Sequence, residues 1–235
     1  MCYPIGHEYI QCHRALQQLA VRLAEAGFPV LRFDFSGCGD SGGDCEEGGI
    51  PQWRNDVCSA VNEIRRRCAV PRICLMGLSL GGTLAALVGA ERRDIESMVL
   101  WDPVVWGKDY VEELRDLHRK MLRHSHVNVR PQVGEKGQTE ILGFPYADEL
   151  LEDLGRLDLL SAIQEKPAEN LFLIESKETA RQGQLEKRLN ALGACVEYRC
   201  LTNPEFWTWV EDLTRVLVPY KILQSVVSWI SRADA

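Results

Sequence analysis

Residues 77–81 read Gly77-Leu78-Ser79-Leu80-Gly81, one serine with a glycine two positions away on each side. An apolar run, Ile73-Cys74-Leu75-Met76, precedes it, and an Ala/Leu-rich stretch of helical character follows as far as Ala90. G-x-S-x-G set between a strand and a helix is the context in which a serine is presented as a nucleophile. The turn is sharp and strained, so the flanking glycines let the backbone bend and keep side chains out of the crowded approach. The Ser79 hydroxyl would project above the sheet. The first N–H groups of the next helix, beginning with Leu80, would face a developing oxyanion. Such a serine needs a base and an acid that orients the base. The carboxylates placed to serve as the acid are Asp102, which closes an apolar strand, and Glu175 and Glu178, which follow another. The five histidines stand at 7, 13, 118, 124 and 126. His7 is the candidate base near the N-terminus; His118, His124 and His126 are the alternatives further along.

The elements that must hold these groups alternate. Apolar residues at helical spacing (Leu16, Leu19, Ala20, Leu23) predict a helix over residues 9–26, ended by Gly27. FPVLRFDF, residues 28–35, predicts a strand, and residues 52–68 a second amphipathic helix. The Ser79 strand and helix follow, then a strand over 97–101 closed by Asp102-Pro103. From 103 to 167 the strand–helix rhythm stops. A charged helix over 109–123, a stretch broken by Gly and Pro, and a helix over 147–163 predict a helical cap or lid. Rhythm resumes with a strand at 170–175, a helix at 179–192, a strand at 195–201 and a last helix at 220–231. The expectation is an α/β fold with a mainly parallel, doubly wound sheet. Its core is divided between residues 1–102 and 168–235, with the cap at 103–167.

Composition bounds the function. At 235 residues and 46% hydrophobic, the chain is long enough for one well-buried core. A net charge of −7 argues against nucleic acid or an anionic membrane surface as a main partner. No apolar run approaches the length of a membrane span, and MCYPIGHEYI lacks the basic and apolar regions of a signal peptide. Nine cysteines without a C-x-x-C pair predict reduced, mostly buried thiols and a cytoplasmic setting, with neither a metal site nor a cofactor.

Gly37-Cys38-Gly39-Asp40-Ser41-Gly42 matches the dinucleotide-binding pattern G-x-G-x-x-G literally. That mechanism needs a helix to open at the third glycine, whereas Gly43, Gly48, Gly49 and Pro51 keep this chain irregular until about residue 52. The stretch Asp34-Phe35-Ser36-Gly37-Cys38-Gly39-Asp40-Ser41 instead resembles the D-x-x-G-x-G-x-S loop after a central strand of α/β-hydrolases. Its Asp34 is expected to accept N–H bonds within the loop.

More narrowly, four stretches resemble the exosortase A system-associated hydrolases. They are residues 6–24, residues 32–44, Leu100-Trp101-Asp102-Pro103-Val104-Val105 with Gly107, and Glu140-Ile141-Leu142-Gly143-Phe144. The resemblance covers most of the chain and implies an α/β-hydrolase fold. Under it, Tyr3-Pro4-Ile5 takes the place of the oxyanion loop, making Ile5 the second N–H donor beside Leu80. It also implies a strand just before that loop, lying between the strands of Asp34 and Ser79. Only Met1 to Tyr3 is available for that slot, so the expected architecture is an N-terminally truncated one, bridged there by a stub.

The base is the second departure. Such hydrolases run serine, acid, histidine, with the histidine after the last strand. No histidine follows His126, and residues 202–220 offer Asn203, Glu205, Glu211, Asp212 and Tyr220 instead. Two functions are therefore expected to compete. One is a serine hydrolase acting on an ester, thioester or similar acyl bond of a small-molecule substrate. The other is a non-catalytic relative that binds a ligand or partner beneath the cap.

Overall fold

Four short runs pair side by side: the first three are apolar and largely buried, so each can satisfy its backbone only through its neighbours, and the fourth is a more polar, partly exposed strand at the sheet's edge. The computed structural model describes residues 1–43, 48–124, 137–176, 180–202 and 218–233. The runs are β1 (Cys74–Leu78), β2 (Ser97–Trp101), β5 (Asn170–Glu175) and β6 (Cys195–Cys200), forming a parallel sheet in the order β1-β2-β5-β6. One register crosses the whole sheet: Leu78 lies opposite Trp101, Trp101 opposite Ile174, and Ile174 opposite Arg199. The carboxyl ends of the strands thus lie along one edge, which brings Ser79, Asp102 and Glu175 to the same side of the molecule.

Helices cover both faces. On one lie α1 (Gly6–Glu25) and α8 (Tyr220–Ala233), and on the other α2 (Ile50–Cys68), α3 (Leu80–Arg92) and α7 (Ala180–Ala191). Helix α1 turns Cys12, Leu16, Leu19 and Leu23 inward, and this stripe meets Ile222, Leu223 and Val226 of α8 beneath β1, β2 and β5. Helix α3 is apolar nearly all round, with Leu84, Ala85, Ala86 and Val88 buried, as its place between the sheet and α2 requires.

Residues 103–167 contain α4 (Gly107–His124), a hairpin of β3 (Gln138–Ile141) and β4 (Phe144–Ala147), α5 (Asp148–Arg156) and α6 (Leu159–Ala162). Tyr110, Leu114, Tyr146, Leu150 and Leu154 from this segment join the same apolar cluster as α2, α3 and the sheet.

Four expectations need correction. Residues 28–35 do not form a strand. Cys2 bridges Phe33 on one side and Gly77 on the other, and one residue cannot support a ladder. The helix expected over 147–163 breaks after Arg156, because the Asp158 carboxylate caps a new helix by accepting from the N–H groups of Leu160 and Ser161. The stretch expected to be irregular holds the β3–β4 hairpin, whose two-residue turn, Leu142-Gly143, has positive φ at both positions (55° and 83°). Finally, the thiols are not mostly buried. Cys2 and Cys12 are, but Cys68, Cys74, Cys195 and Cys200 are exposed, because the first two lie at element ends and the last two bound an edge strand.

Candidate active site

The chain passes from β1 to α3 through Ser79 at φ 51° and ψ −126°, a conformation that non-glycine residues avoid. Its neighbours fix it there. The Ser79 N–H donates to the Trp101 carbonyl at 2.9 Å, and its own carbonyl accepts from the N–H groups of Gly82 and Thr83 at 2.9 and 3.2 Å. Both flanking glycines are required by space. A Cβ on Gly77 would run into the Gly81 carbonyl and lie 2.5 Å from the Gly82 nitrogen. One on Gly81 would lie 2.5 Å from the Cys2 carbonyl oxygen and collide with that of Tyr3.

The Ser79 hydroxyl faces Glu8, in the first turn of α1. Oγ lies 2.9 Å from Glu8 Oε2 and 3.1 Å from Oε1, and the Tyr110 hydroxyl on α4 donates to Oε2 at 3.0 Å. Serine and carboxylate are only 6% and 8% exposed. Burial pushes the Glu8 carboxyl up to about 7. The hydrogen bonds from Ser79 and Tyr110 oppose that rise, while the negative charges of Asp102 and Glu113 add to it. The same burial, together with the Glu8 charge, raises the Tyr110 phenol well above its ordinary value. Glu8 was not among the residues singled out from sequence. A signal for it was present, since it stands on the buried stripe of α1, four residues before Cys12 and eight before Leu16, where an unpaired acid would be costly.

Residues of the 103–167 segment pack beside this pair. Gly6 has φ +59°, and a Cβ there would collide with the Tyr146 hydroxyl of β4, so glycine is needed for α1 to start so close to β4. The Tyr146 hydroxyl and His7 Nδ1 are both buried without a hydrogen-bond partner.

The other expected site residues fall as follows. Asp102 closes β2 at φ 43°, and its Oδ1 accepts from the Ser176 N–H at 2.8 Å. Glu175 is buried at the end of β5 and accepts from the Tyr198 hydroxyl. Glu178 lies outside the described residues. Leu80 opens α3 immediately after the serine, and Ile5 is the residue from which α1 starts. His7 adjoins Glu8, and burial drives its imidazole down to about 4. His118 accepts from the Leu142 N–H through Nδ1 at 3.0 Å and so anchors the hairpin turn. His126 and the His124 side chain lie outside the described residues, as do residues 203–217, where a distal base was sought. The structure thus gathers Ser79, Glu8 and Tyr110, with Asp102 and Glu175 on the same sheet edge. Among the described residues, no three His, Cys, Asp or Glu side chains cluster as metal ligands do.

The loop at 34–41 is built around Asp34. Its Oδ2 accepts from the Asp40 N–H at 3.1 Å, and its carbonyl accepts from the Ser41 hydroxyl at 2.7 Å. Gly39, at φ +55°, passes so near that a Cβ would lie 2.5 Å from that Oδ2.

Solved structures share this architecture. Est1E from Butyrivibrio proteoclasticus, solved with ferulic acid bound, matches with a TM-score of 0.65 and 14% identity over 94% of this chain and 83% of its own. An esterase from Pyrococcus furiosus matches with a TM-score of 0.63 and 17% identity over 98% of this chain and 79% of its own. Both support an α/β-hydrolase fold. The family model described as "Serine aminopeptidase, S33" matches residues 5–169, well over half of the chain. The chain belongs to the S33 serine aminopeptidase family. It is accordingly an α/β-hydrolase-fold member of a hydrolase family. Within this S33 chain, a segment of 69 residues is 43% identical to the human mitochondrial palmitoyl-protein thioesterase ABHD10, and one of 58 residues is 43% identical to the bovine protein. These matches span 28% and 25% of this chain, and about a fifth of the length of those relatives (21% and 18%).

Proposed function

We propose that this S33-family chain is a serine hydrolase that cleaves an acyl bond, an ester or a thioester, with Ser79 as the nucleophile. The observation carrying the reading is the turn at Ser79. A non-glycine residue is held at φ 51° between two glycines that tolerate no side chain, with its hydroxyl hydrogen-bonded to a buried carboxylate. Strain of this kind persists only where the surrounding structure enforces it, and it is concentrated at functional sites. In the proposed reaction Ser79 Oγ attacks the acyl carbon, and the N–H groups of Leu80 and Ile5 receive the oxyanion. The thioester arm is supported by the local likeness to the palmitoyl-protein thioesterases, and the ester arm by the fold shared with esterases. On the four stretches named above we place the chain beside the exosortase A system-associated hydrolases.

Tyr110 and Tyr146, both buried beside the site, would shape the pocket for the acyl group. A fluorophosphonate probe on the full chain tests the nucleophile, and p-nitrophenyl esters and acyl thioesters of increasing chain length test the substrate class. Labelling that maps to Ser79 and disappears in Ser79→Ala is the expected result. Labelling that survives the substitution, or an intact protein that is never labelled or acylated, would leave the non-catalytic reading in place.

A further inference from the structure

We infer that the Glu8 carboxylate is the proton acceptor for Ser79, taking the part that a histidine plays in a conventional triad, with Tyr110 as its positioning residue. This inference rests on the reading of Ser79 as the nucleophile. Both carboxylate oxygens lie within hydrogen-bond reach of Oγ, at 2.9 and 3.1 Å, which is the geometry demanded of a base before its basicity is considered. The neighbouring histidines that the structure describes are engaged elsewhere or face no partner: His118 holds the Leu142 N–H, and His7 Nδ1 is buried and unbonded.

The surroundings suit the task. An ordinary surface carboxylate is too weak a base to draw a proton from a serine at neutral pH. Burial raises Glu8 to about 7, where its deprotonated form is both present and basic. The charged and titratable groups facing it are Tyr110 and Glu113 on α4, Asp102 after β2, Tyr146 on β4, and Cys12 on its own helix. Their negative forms all favour retention of a proton on Glu8. The Tyr110 hydrogen bond to Oε2 favours the carboxylate and fixes its rotation toward Oγ.

The steps balance. As Oγ bonds to the acyl carbon, the Ser79 proton passes to Glu8 and the carbonyl π pair moves to oxygen. Collapse of the tetrahedral intermediate breaks the bond to the leaving alcohol or thiol, which takes the proton from Glu8. A water molecule then attacks the acyl-serine, gives a proton to Glu8, and collapse releases the carboxylic acid as that proton returns to Ser79 Oγ. Glu8 touches the reacting atom throughout, whereas Tyr110 acts only through Glu8.

The test measures the rate of fluorophosphonate labelling of Ser79 from pH 5 to 9 in the wild type and in Glu8→Gln, Glu8→Asp and Tyr110→Phe. The wild-type rate should rise through one ionisation near neutrality. Glu8→Gln, nearly isosteric but unable to accept the proton, should slow labelling about 100-fold or more and erase the inflection. Tyr110→Phe removes a hydrogen bond to the ionised form, so its inflection should move to higher pH. If Glu8→Gln does not fold, judged by its unfolding transition, Glu8→Asp decides. A slower reaction with a displaced inflection supports the inference, and an unchanged profile overturns it. Labelling of Ser79 at the wild-type rate in Glu8→Gln, or dependence on His7 or His126 instead, also overturns it while leaving Ser79 as the nucleophile. Absence of labelling at Ser79 in the wild type at every pH removes both readings together.

Discussion

The two flanks of β1 are held in unlike ways. On one flank all five residues pair with β2 in a single parallel register. On the other, Cys2 alone bridges to Gly77, with its N–H on the Met76 carbonyl at 2.7 Å and its carbonyl accepting from the Leu78 N–H at 3.3 Å. Below that bridge a cavity of about 440 Å³, bordered by Leu31, Phe33, Ile64, Val70, Leu75 and Met76, separates residues 28–33 from β1. The site straddles this seam. Ser79 is fixed by the well-paired flank, through the Trp101 carbonyl and the rigid start of α3. Glu8 is fixed without a ladder, by the packing of α1 against α8 and by Tyr110 and Tyr146 above it. The proposed site is thus assembled from one hydrogen-bonded anchor and one packed anchor.

Substitution of the two flanking glycines probes the difference directly. Gly77→Ala sets a methyl group against the backbone of the turn itself, which is held by β2 and α3 and has nowhere to go. Loss of about 3 kcal/mol or more, or of the folded protein altogether, is expected in chemical denaturation. Gly81→Ala presses on Cys2 and Tyr3, which isolated bridges from Cys2 to Phe33 and Gly77 restrain in place of a ladder, so a smaller loss of about 1–2 kcal/mol is expected. Equal losses would show that the Cys2 flank is as unyielding as the other.

Truncation of an apolar side chain on each side gives the next contrast. Leu173 is fully buried at the middle of β5, between β2 and β6, and Leu173→Ala should cost about 2–5 kcal/mol. Leu31 is half-buried at the rim of an existing cavity, so Leu31→Ala removes fewer contacts and should cost about 1 kcal/mol or less. A Leu31→Ala loss matching that of Leu173→Ala would mean that residues 28–33 are as tightly held as the sheet.

The paired flank was also the legible one. Residues 170–175 were expected as a strand and are β5 without change, and β1 and β2 follow the same rule, because strands buried on both faces read as unbroken apolar runs. Residues 28–35 carry an equally strand-like run, yet a strand exists only with a partner, and among the described residues this run meets only the single bridge from Phe33 to Cys2. Ser79 was legible because the chemistry proposed for it demands a local pattern, G-x-S-x-G, that the covalent neighbours satisfy. Glu8 was not singled out, since its significance depends on a serine 71 residues away, and the search for a base looked for histidine. The Leu142-Gly143 turn escaped because leucine rarely adopts positive φ; the His118 contact with the Leu142 N–H helps to hold it there.

The pH dependence of stability reports on α1, which carries two shifted groups. Glu8 rises from 4.5 unfolded to about 7 folded, so its contribution is fully present below pH 4.5 and is lost as pH climbs to about 7. His7 falls from 6.5 to about 4, so the stability of its buried neutral ring is present above pH 6.5 and is lost as pH drops toward 4. Between pH 4.5 and 6.5 the two oppose each other, and the wild type should show a nearly flat profile. Glu8→Gln leaves His7 alone and should become more stable by about 2–3 kcal/mol from pH 4 to 6.5, measured by denaturant titration. A variant profile as flat as the wild type would mean that neither group is shifted as the packing of α1 implies.

A comparably small effect is expected at Asp34, where the weakly paired stretch ends in the glycine-rich loop. The expectation from sequence was that its carboxylate gathers N–H groups there, and the structure shows it accepting from Asp40 at 3.1 Å. Tyr9 also donates to this carboxylate from α1, and burial together with that bond pushes its phenol up to about 12. Asp34 therefore ties the loop to the same helix that carries Glu8. Because the Asp40 bond is exposed, water replaces the lost acceptor when the carboxylate is removed, so Asp34→Ala should cost only about 0.5–1.5 kcal/mol. Asp34→Asn keeps an acceptor and should cost less. The consequence for the site is separable from stability: if the loop steadies α1, Asp34→Ala should slow Ser79 labelling severalfold at a pH where the variant remains folded. Unchanged labelling together with an unchanged unfolding midpoint would show that α1 is positioned by its apolar stripe and the two tyrosines without help from this loop.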